Sequence, residues 1–194
     1  VKDAVRKCAQ KKVKFLQIIT SGFSEVGNVR EEKEILGIAR DAGTRIVGPN
    51  MFGMYSCASS LNSTFSASLI NPGHVAILTQ SGALGIAMIA KTAIANMGLS
   101  AIVSIGNKCD VDESDLLEYL IDDNHTKVIF MYIEGVKKGE KLIETLKKAT
   151  AKKPVIIIKS GKSKRGARAA ASHTGSLAGS DEIFNAIMKQ CGVL

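Results

Sequence analysis

"VAILTQSGALGIAM", residues 75–88, joins a short apolar run to a stretch with helical periodicity, and its reading decides the fold. Positions 75–78 are apolar throughout, as a strand must be when both faces of its sheet are covered. Ser81 and Gly82 then open a helix expected over 83–96. The same succession recurs downstream. "AIVSI" (101–105), "VIFMYI" (128–133) and "VIII" (155–158) are nearly continuous apolar runs, followed by helical periodicity around 113–122, 139–150 and 181–191. Strand then helix, repeated, predicts an α/β domain with a doubly wound parallel sheet from about Gly73 onward.

Upstream, "VKDAVRKCAQKK", "VKFLQIIT", "EEKEILGIARDAG" and "TRIVGP" read as helix, strand, helix, strand, the back half of another α/β unit. Between the two units, "NMFGMYSCASSLNSTFSASLINPG" has weak periodicity, many Ser and Asn, and Gly or Pro near its ends, which predicts a linker over 49–73. The chain begins at Val1 inside a helix-like stretch and ends at "CGVL", where a further strand could start. The expectation is a fragment of a longer polypeptide.

Composition narrows the class. Hydrophobic residues make up 45% of the 194 and charged residues 23%, an ordinary globular balance. No apolar run approaches the roughly 18 to 20 residues that span a bilayer, and the start of the chain has no apolar signal region, so the expectation is a soluble cytoplasmic protein with no membrane partner. Cys8, Cys57, Cys109 and Cys191 form no C-x-x-C pair and have no metal-ligand spacing with His74, His125 or His173, so reduced structural thiols and no metal site are expected. The net charge of +8 invites a nucleic-acid partner, but aromatic residues are only 5% and no nucleic-acid motif is present. Most basic clusters read instead as helix ends, where cations suit the negative pole of the dipole.

Two motifs fail on inspection. "IIIKSGKS" has the Gly-Lys-Ser of a phosphate loop, but the first glycine of that pattern would stand at Ile156. "DVDESD" offers Asp110, Asp112 and Asp115, but a calcium loop needs Glu where Ile121 stands. Asp112 as the cap of a helix beginning near Glu113 is the better reading.

Three positions point to chemistry. Ser81 and Gly82 lie where a strand meets a helix at the carboxyl edge of the sheet, offering backbone N–H groups and a hydroxyl to an anion; a glycine-lined turn with a Ser cap explains them equally well. Glu134 ends the strand "VIFMYI" at the same edge, either as a solvated strand end or as a carboxylate that orients an imidazole. His173 stands in the long loop "KSGKSKRGARAAASHTGSLAGSDE" (159–182), flanked by residues too small to block close approach. Loops in α/β units usually take about 2 to 6 residues, so this one exceeds a connection. The constellation fits a nucleophilic imidazole that accepts a phosphoryl group.

"GPNMFG", "VAILTQSGALG", "SIGNKCDVDESDLLEYL", "YIEGVKKGEKL", "KKPVIIIKSG" and "GARAAASHTGSLAGSDE" together resemble the ADP-forming acetyl-CoA (acyl-CoA) synthetases, relatives of succinyl-CoA synthetase, over nearly the whole chain. The resemblance implies a flavodoxin-like CoA-ligase domain over 74–194, preceded over 1–48 by the C-terminal half of a Rossmann-like CoA-binding domain. It implies a ligase that interconverts acyl-CoA, ADP and phosphate with free acid, CoA and ATP through an acyl phosphate and a phosphohistidine. By motif, His173 is the phosphorylated residue and Glu134 its orienting carboxylate. Ser81, Gly82, Thr174 and Gly175 hold the phosphoryl group, and Ser21, Gly22, Pro49 and Asn50 lie on the coenzyme A path. Met51 stands where relatives often have Cys. Coenzyme A, phosphate and a small acid such as acetate are the implied small-molecule ligands, while ADP or ATP and magnesium belong to an ATP-grasp domain or subunit outside this chain; an oligomer is implied. A regulatory CoA-binding module built on the same scaffold is the alternative, and the intact "SHTG" loop speaks against it.

Overall fold

The computed structural model describes residues 1–66, 69–161 and 181–194. The first unit has the expected order: α1 (Lys2–Gln10), β1 (Phe15–Gln17), α2 (Val29–Asp41) and β2 (Arg45–Val47), with a 3-10 turn at Ser24–Val26 ahead of α2. β1 and β2 pair in parallel, Phe15 opposite Arg45 and Gln17 opposite Val47. Val5, Ile18, Phe23, Ile35, Ala39 and Ile46 close a small core between them and the helices.

The segment expected as a linker is more than that. It contains β3 (Met54–Ser56) and β4 (Leu61–Asn62), a short hairpin that joins the main sheet, with β3 antiparallel to the strand Leu99–Ser104 and Tyr55 opposite Ile102. Strands of two and three residues are too short to show a period of two, so the sequence pattern could not reveal them. Gly53 turns the chain into the hairpin at φ +106°, and a side chain there would come within 2.2 Å of the Ser63 carbonyl oxygen. The sheet is therefore mixed and mostly parallel, not wholly parallel.

The rest alternates as read: β5 (Pro72–Thr79), α3 (Gly82–Ile94), β6 (Leu99–Ser104), α4 (Glu113–Asp122), β7 (Val128–Ile133), α5 (Gly139–Thr150), β8 (Val155–Lys159) and α6 (Asp181–Gln190). The six strands lie in the order β4-β3-β6-β5-β7-β8, and β6, β5, β7 and β8 run parallel. Helices cover both faces. Leu117, Leu120, Leu142, Leu146 and Met188 of α4, α5 and α6 pack on one side with Leu78, Val103, Ile129 and Met131. On the other side α3 inserts Ile89 against Ile77, Ile102 and Phe52. The long apolar runs follow from this double coverage.

Local chemistry sets the helix ends. Asp112 caps α4 as expected: its carboxylate accepts from Ser114 and Asp115 N–H, and the Asp115 carboxylate accepts from Asp112 N–H, closing a capping box. Lys153 Nζ donates to the carbonyls of Leu120 and Asp123, both at 2.6 Å, and satisfies the other end of the same helix. Asp110, the first carboxylate of the rejected calcium loop, ties the two units together. It is 5% exposed and accepts from Arg45 Nε at 2.7 Å, Arg40 at 3.1 Å and Ile46 N–H at 3.0 Å. Among the described residues no helix is long and apolar enough to cross a membrane, and all four cysteines are free thiols.

Candidate functional site

The chain leaves β5 to form β6 on one side, then crosses to form β7 on the other. That reversal opens a crevice beyond the carboxyl ends of β5 and β7, where ligands bind in open α/β sheets. Gln80 follows β5 and Glu134 follows β7, so these two residues flank the crevice.

Their union is close. Gln80 N–H continues the ladder to the Tyr132 carbonyl at 3.2 Å, and its side chain then replaces the ladder. Oε1 accepts from the N–H groups of Glu134 at 2.6 Å and Gly135 at 3.0 Å, while Nε2 donates to the Gly135 carbonyl at 2.8 Å. Lys108, on the loop after β6, donates to the same carbonyl at 2.6 Å. Lys108 and its ion-pair partner Glu113, 2.9 Å away, are both buried. Burial pushes the Lys108 ammonium below its ordinary pKa, and the Glu113 charge opposes that shift.

Beside Gln80, Ser81 is the N-cap of α3, its Oγ accepting from Leu84 N–H at 3.3 Å. Thr79 Oγ1 locks the turn, accepting from Ser81 N–H and donating to the Ser81 carbonyl. The capping reading of Ser81 is thus realised. The first turn of α3 contains no acidic residue, whereas that of α4 carries Glu113 and Asp115. The positive end of α3 is left without a carboxylate of its own turn, which favours an external anion.

A cavity of about 440 Å³ lies between the units, lined by Glu25 and Glu32 from the first, by Asn50, and by Gln80, Asn107, Lys108 and Glu134 from the second. Asn107 is its hub: it donates to the carboxylates of Glu25 and Glu32 and accepts from Asn50 Nδ2 at 3.2 Å. Burial pushes the Glu25 carboxyl up, but Asn107 and the N–H groups of Gly22 and Phe23 outweigh it and hold its pKa below the usual value. The Cys109 thiol, also on the lining, is pushed up to about 12 by burial and by the charges of Glu32 and Asp110. Such a thiol stays protonated and is no nucleophile at neutral pH.

The residues singled out in the sequence divide as follows. Glu134 and Asn50 line the large cavity; Asn50 adopts a left-handed φ of +61° with its N–H on the Thr20 carbonyl. Ser81 and Gly82 stand at the adjacent helix start. Ser21 and Gly22 line a second cavity of about 350 Å³, and Gly22 N–H donates to Glu25, which lines the first. Pro49 lines neither cavity, and its carbonyl accepts from Asn107 N–H at 2.9 Å. His173, Thr174 and Gly175 lie outside the described residues. Gln80, Lys108, Asn107 and Glu25 were not singled out. Gln80 carried the one available signal, a polar side chain directly after a strand apolar on both faces. Among the described residues no group of three or more His, Cys, Asp or Glu is placed to hold a metal ion.

Comparison with known proteins gives a consistent picture. The family model of the succinyl-CoA ligase like flavodoxin domain matches residues 72–194. The acetate–CoA ligase (ADP-forming) I subunit alpha of Pyrococcus furiosus is 50% identical over 100% of this chain, which covers 42% of that protein. The 4-hydroxybutyrate–CoA ligase (ADP-forming) of Nitrosopumilus maritimus is 40% identical, again over 100% of this chain and 29% of that protein. Among solved structures, the acetyl-coenzyme A synthetase 1 of Ca. Korarchaeum cryptofilum, in complex with phosphate and ADP, superposes with a TM-score of 0.96 at 45% identity, covering 99% of this chain and 42% of that one. The chain thus spans less than half the length of these relatives. The flavodoxin-like order of its parallel strands and the match from β5 to the end of the chain agree, and the chain belongs to the succinyl-CoA ligase like flavodoxin domain family.

Proposed function

We propose that this chain is the CoA-ligase part of an ADP-forming acyl-CoA synthetase, with residues 1–48 as the back half of its CoA-binding unit. The observation that carries the reading is the cavity at the switch point, lined by both Glu134 and Asn50 beside an α3 N-terminus that has no acidic residue in its first turn.

In this reading the reaction has three reversible steps. A phosphate oxygen attacks the thioester carbonyl and the thiol of CoA leaves, giving an acyl phosphate. An imidazole nitrogen of His173 attacks phosphorus and the carboxylate of the acid leaves. The terminal phosphate oxygen of ADP then attacks phosphorus, the P–N bond breaks, and ATP leaves. Glu134 accepts the N–H of the other imidazole nitrogen, fixing the tautomer and steadying the positive charge that develops on the ring. Ser81 and Gly82 present the start of α3 to the phosphoryl oxygens, with Thr174 and Gly175 beside the histidine. Dipole stabilisation of that kind contributes about 0.3 to 1 kcal/mol, and up to ~2 where partly buried. Coenzyme A enters along Ser21, Gly22, Pro49 and Asn50. The N–H groups of Gly22 and Phe23, which now converge on the Glu25 carboxylate, are of the kind that holds an anionic or carbonyl oxygen. Nucleotide and magnesium are handled by an ATP-grasp part in the same chain or a separate subunit, and the acid is a small carboxylate such as acetate.

The test is mass spectrometry of the complete parent enzyme after exposure to acetyl phosphate, or to ATP with magnesium, beside His173→Ala. The expected result is one phosphate on His173, lost in acid and kept in base, and absent from the variant. A folded, complete enzyme with unmodified His173 refutes the reading and turns it toward a regulatory CoA-binding module.

A further inference from the structure

We propose that Gln80 is a positioning residue of the site, acting only through Glu134, and this rests on the reading of Glu134 as the carboxylate that orients the phosphorylated histidine. Parallel strands normally hold each other by backbone ladders, and the β5–β7 ladder ends at the bond from Gln80 N–H to Tyr132. Beyond it the two chains diverge, β5 turning into α3 and β7 into the loop before α5. A strand end released in that way would leave the next residue free to take several orientations. Here the Gln80 amide bridges the gap with three hydrogen bonds, two accepted at Oε1 and one donated from Nε2, all to the backbone of Glu134 and Gly135.

The choice of side chain follows from that geometry. Only a primary amide offers an acceptor for two N–H groups and a donor for a carbonyl from one planar group. A carboxylate lacks the donor, and an apolar side chain of the same length would take the acceptor away from the part-buried N–H groups of Glu134 and Gly135. Lys108, on the loop after β6, supplies a second donor to the Gly135 carbonyl. The peptide after Glu134 is thus held by one side chain from the end of β5 and another from the loop after β6, and the direction of its Cα–Cβ bond is set before any ligand arrives. Gln80 and Glu134 are 54 residues apart in sequence, so this grip exists only because the strand order places β5 beside β7.

A double-mutant cycle in the complete parent enzyme tests the inference, using the rate of phosphate incorporation from acetyl phosphate in wild type, Gln80→Met, Glu134→Gln and the double variant. Gln80→Met is expected to slow incorporation by about 10- to 100-fold, the scale of a misplacement near 1 Å. In the Glu134→Gln background the same change should cost less than about threefold, because a group that acts through a second loses its effect once the second is gone. An equal loss in both backgrounds, or no loss in either, overturns the inference while leaving the phosphohistidine reading intact. A Glu134→Gln enzyme that is phosphorylated at the wild-type rate overturns the inference together with the orienting role of Glu134, and leaves the phosphohistidine itself standing. If Gln80→Met does not fold, Gln80→Asn, which keeps the amide but withdraws it by one methylene, runs the same cycle with the same criteria.

Discussion

Gly85, in the first turns of α3, has no room for a side chain. A Cβ built there would lie 2.3 Å from Phe52 Cε1, 2.8 Å from Phe52 Cζ and 2.9 Å from Thr79 Cγ2. Carbon atoms in contact sit about 3.5 to 4.0 Å apart, so roughly 1 Å of movement is required. Neither neighbour yields easily. Phe52 is 1% exposed and stacks edge-on against Phe65 at 6.3 Å, and Thr79 Oγ1 holds the turn that leads into the helix. The helix must therefore back away from the sheet. Overpacking of this kind costs about 1 to 3 kcal/mol, and a contact this short belongs at the top of that range. Replacing a helical Gly by Ala returns about 1 kcal/mol, leaving a net loss near 2 kcal/mol for Gly85→Ala. With a urea dependence of about 2 kcal/mol/M, the unfolding midpoint should fall by roughly 1 M. Trimming the ring with Phe52→Leu should make the Gly85→Ala change nearly neutral in that background. A Gly85→Ala midpoint at or above wild type, or an identical loss in the Phe52→Leu background, would refute the packing argument. The consequence reaches the proposed phosphate site, because α3 carries Ser81 and Gly82 at its start.

Two further perturbations probe buried charges. Burial pushes the Asp110 carboxyl up, but Arg45, Ile46 N–H and Arg40 outweigh it and hold its pKa below the ordinary value. A depressed carboxyl stabilises the fold above its unfolded pKa of about 3.9 and loses that contribution as pH falls through the lower folded value. Asp110→Asn should cost about 1 to 2 kcal/mol near pH 7, allowing for the half-exposed guanidiniums, and should give a shallower acid limb in a plot of urea midpoint against pH. The idea fails if the two acid limbs coincide. Lys108→Met leaves Glu113, whose side chain is 3% exposed, without its ion-pair partner, and should cost about 3 to 5 kcal/mol. Adding Glu113→Leu should recover part of that loss in thermal melting; a double variant less stable than the single would show that the pair is not the source.

How much of this was legible in sequence depends on the range of the interaction. The runs at 75–78, 101–105, 128–133 and 155–158 each lie within a strand or overlap one by all but a residue, because a strand covered on both faces has no choice but to be apolar along its length. Asp112 was readable as a cap because capping acts over three residues. Glu134 was readable as a strand-end carboxylate, and Ser81 and Gly82 as a strand-to-helix turn, for the same local reason. The hairpin of β3 and β4 was missed, since its partner in the sheet is β6, more than forty residues downstream, and its strands are too short to carry a pattern. Glu25 and Asn107 were missed as well. Their hydrogen bond spans 82 positions and links two units that each look self-contained in sequence.

The sequence by itself determined the alternation of strand and helix and the family resemblance, and it nominated the candidate site residues, all from short stretches or ordered motifs. The tertiary structure alone decided the strand order β4-β3-β6-β5-β7-β8, the face each helix covers, and the cavity where Asn50 and Glu134 meet. The physical reason is that local periodicity reports which side of an element is buried, not against what. Only the reversal of strand order at β5 brings Gln80 to the end of β7, where one amide can hold the carboxylate-bearing backbone in place.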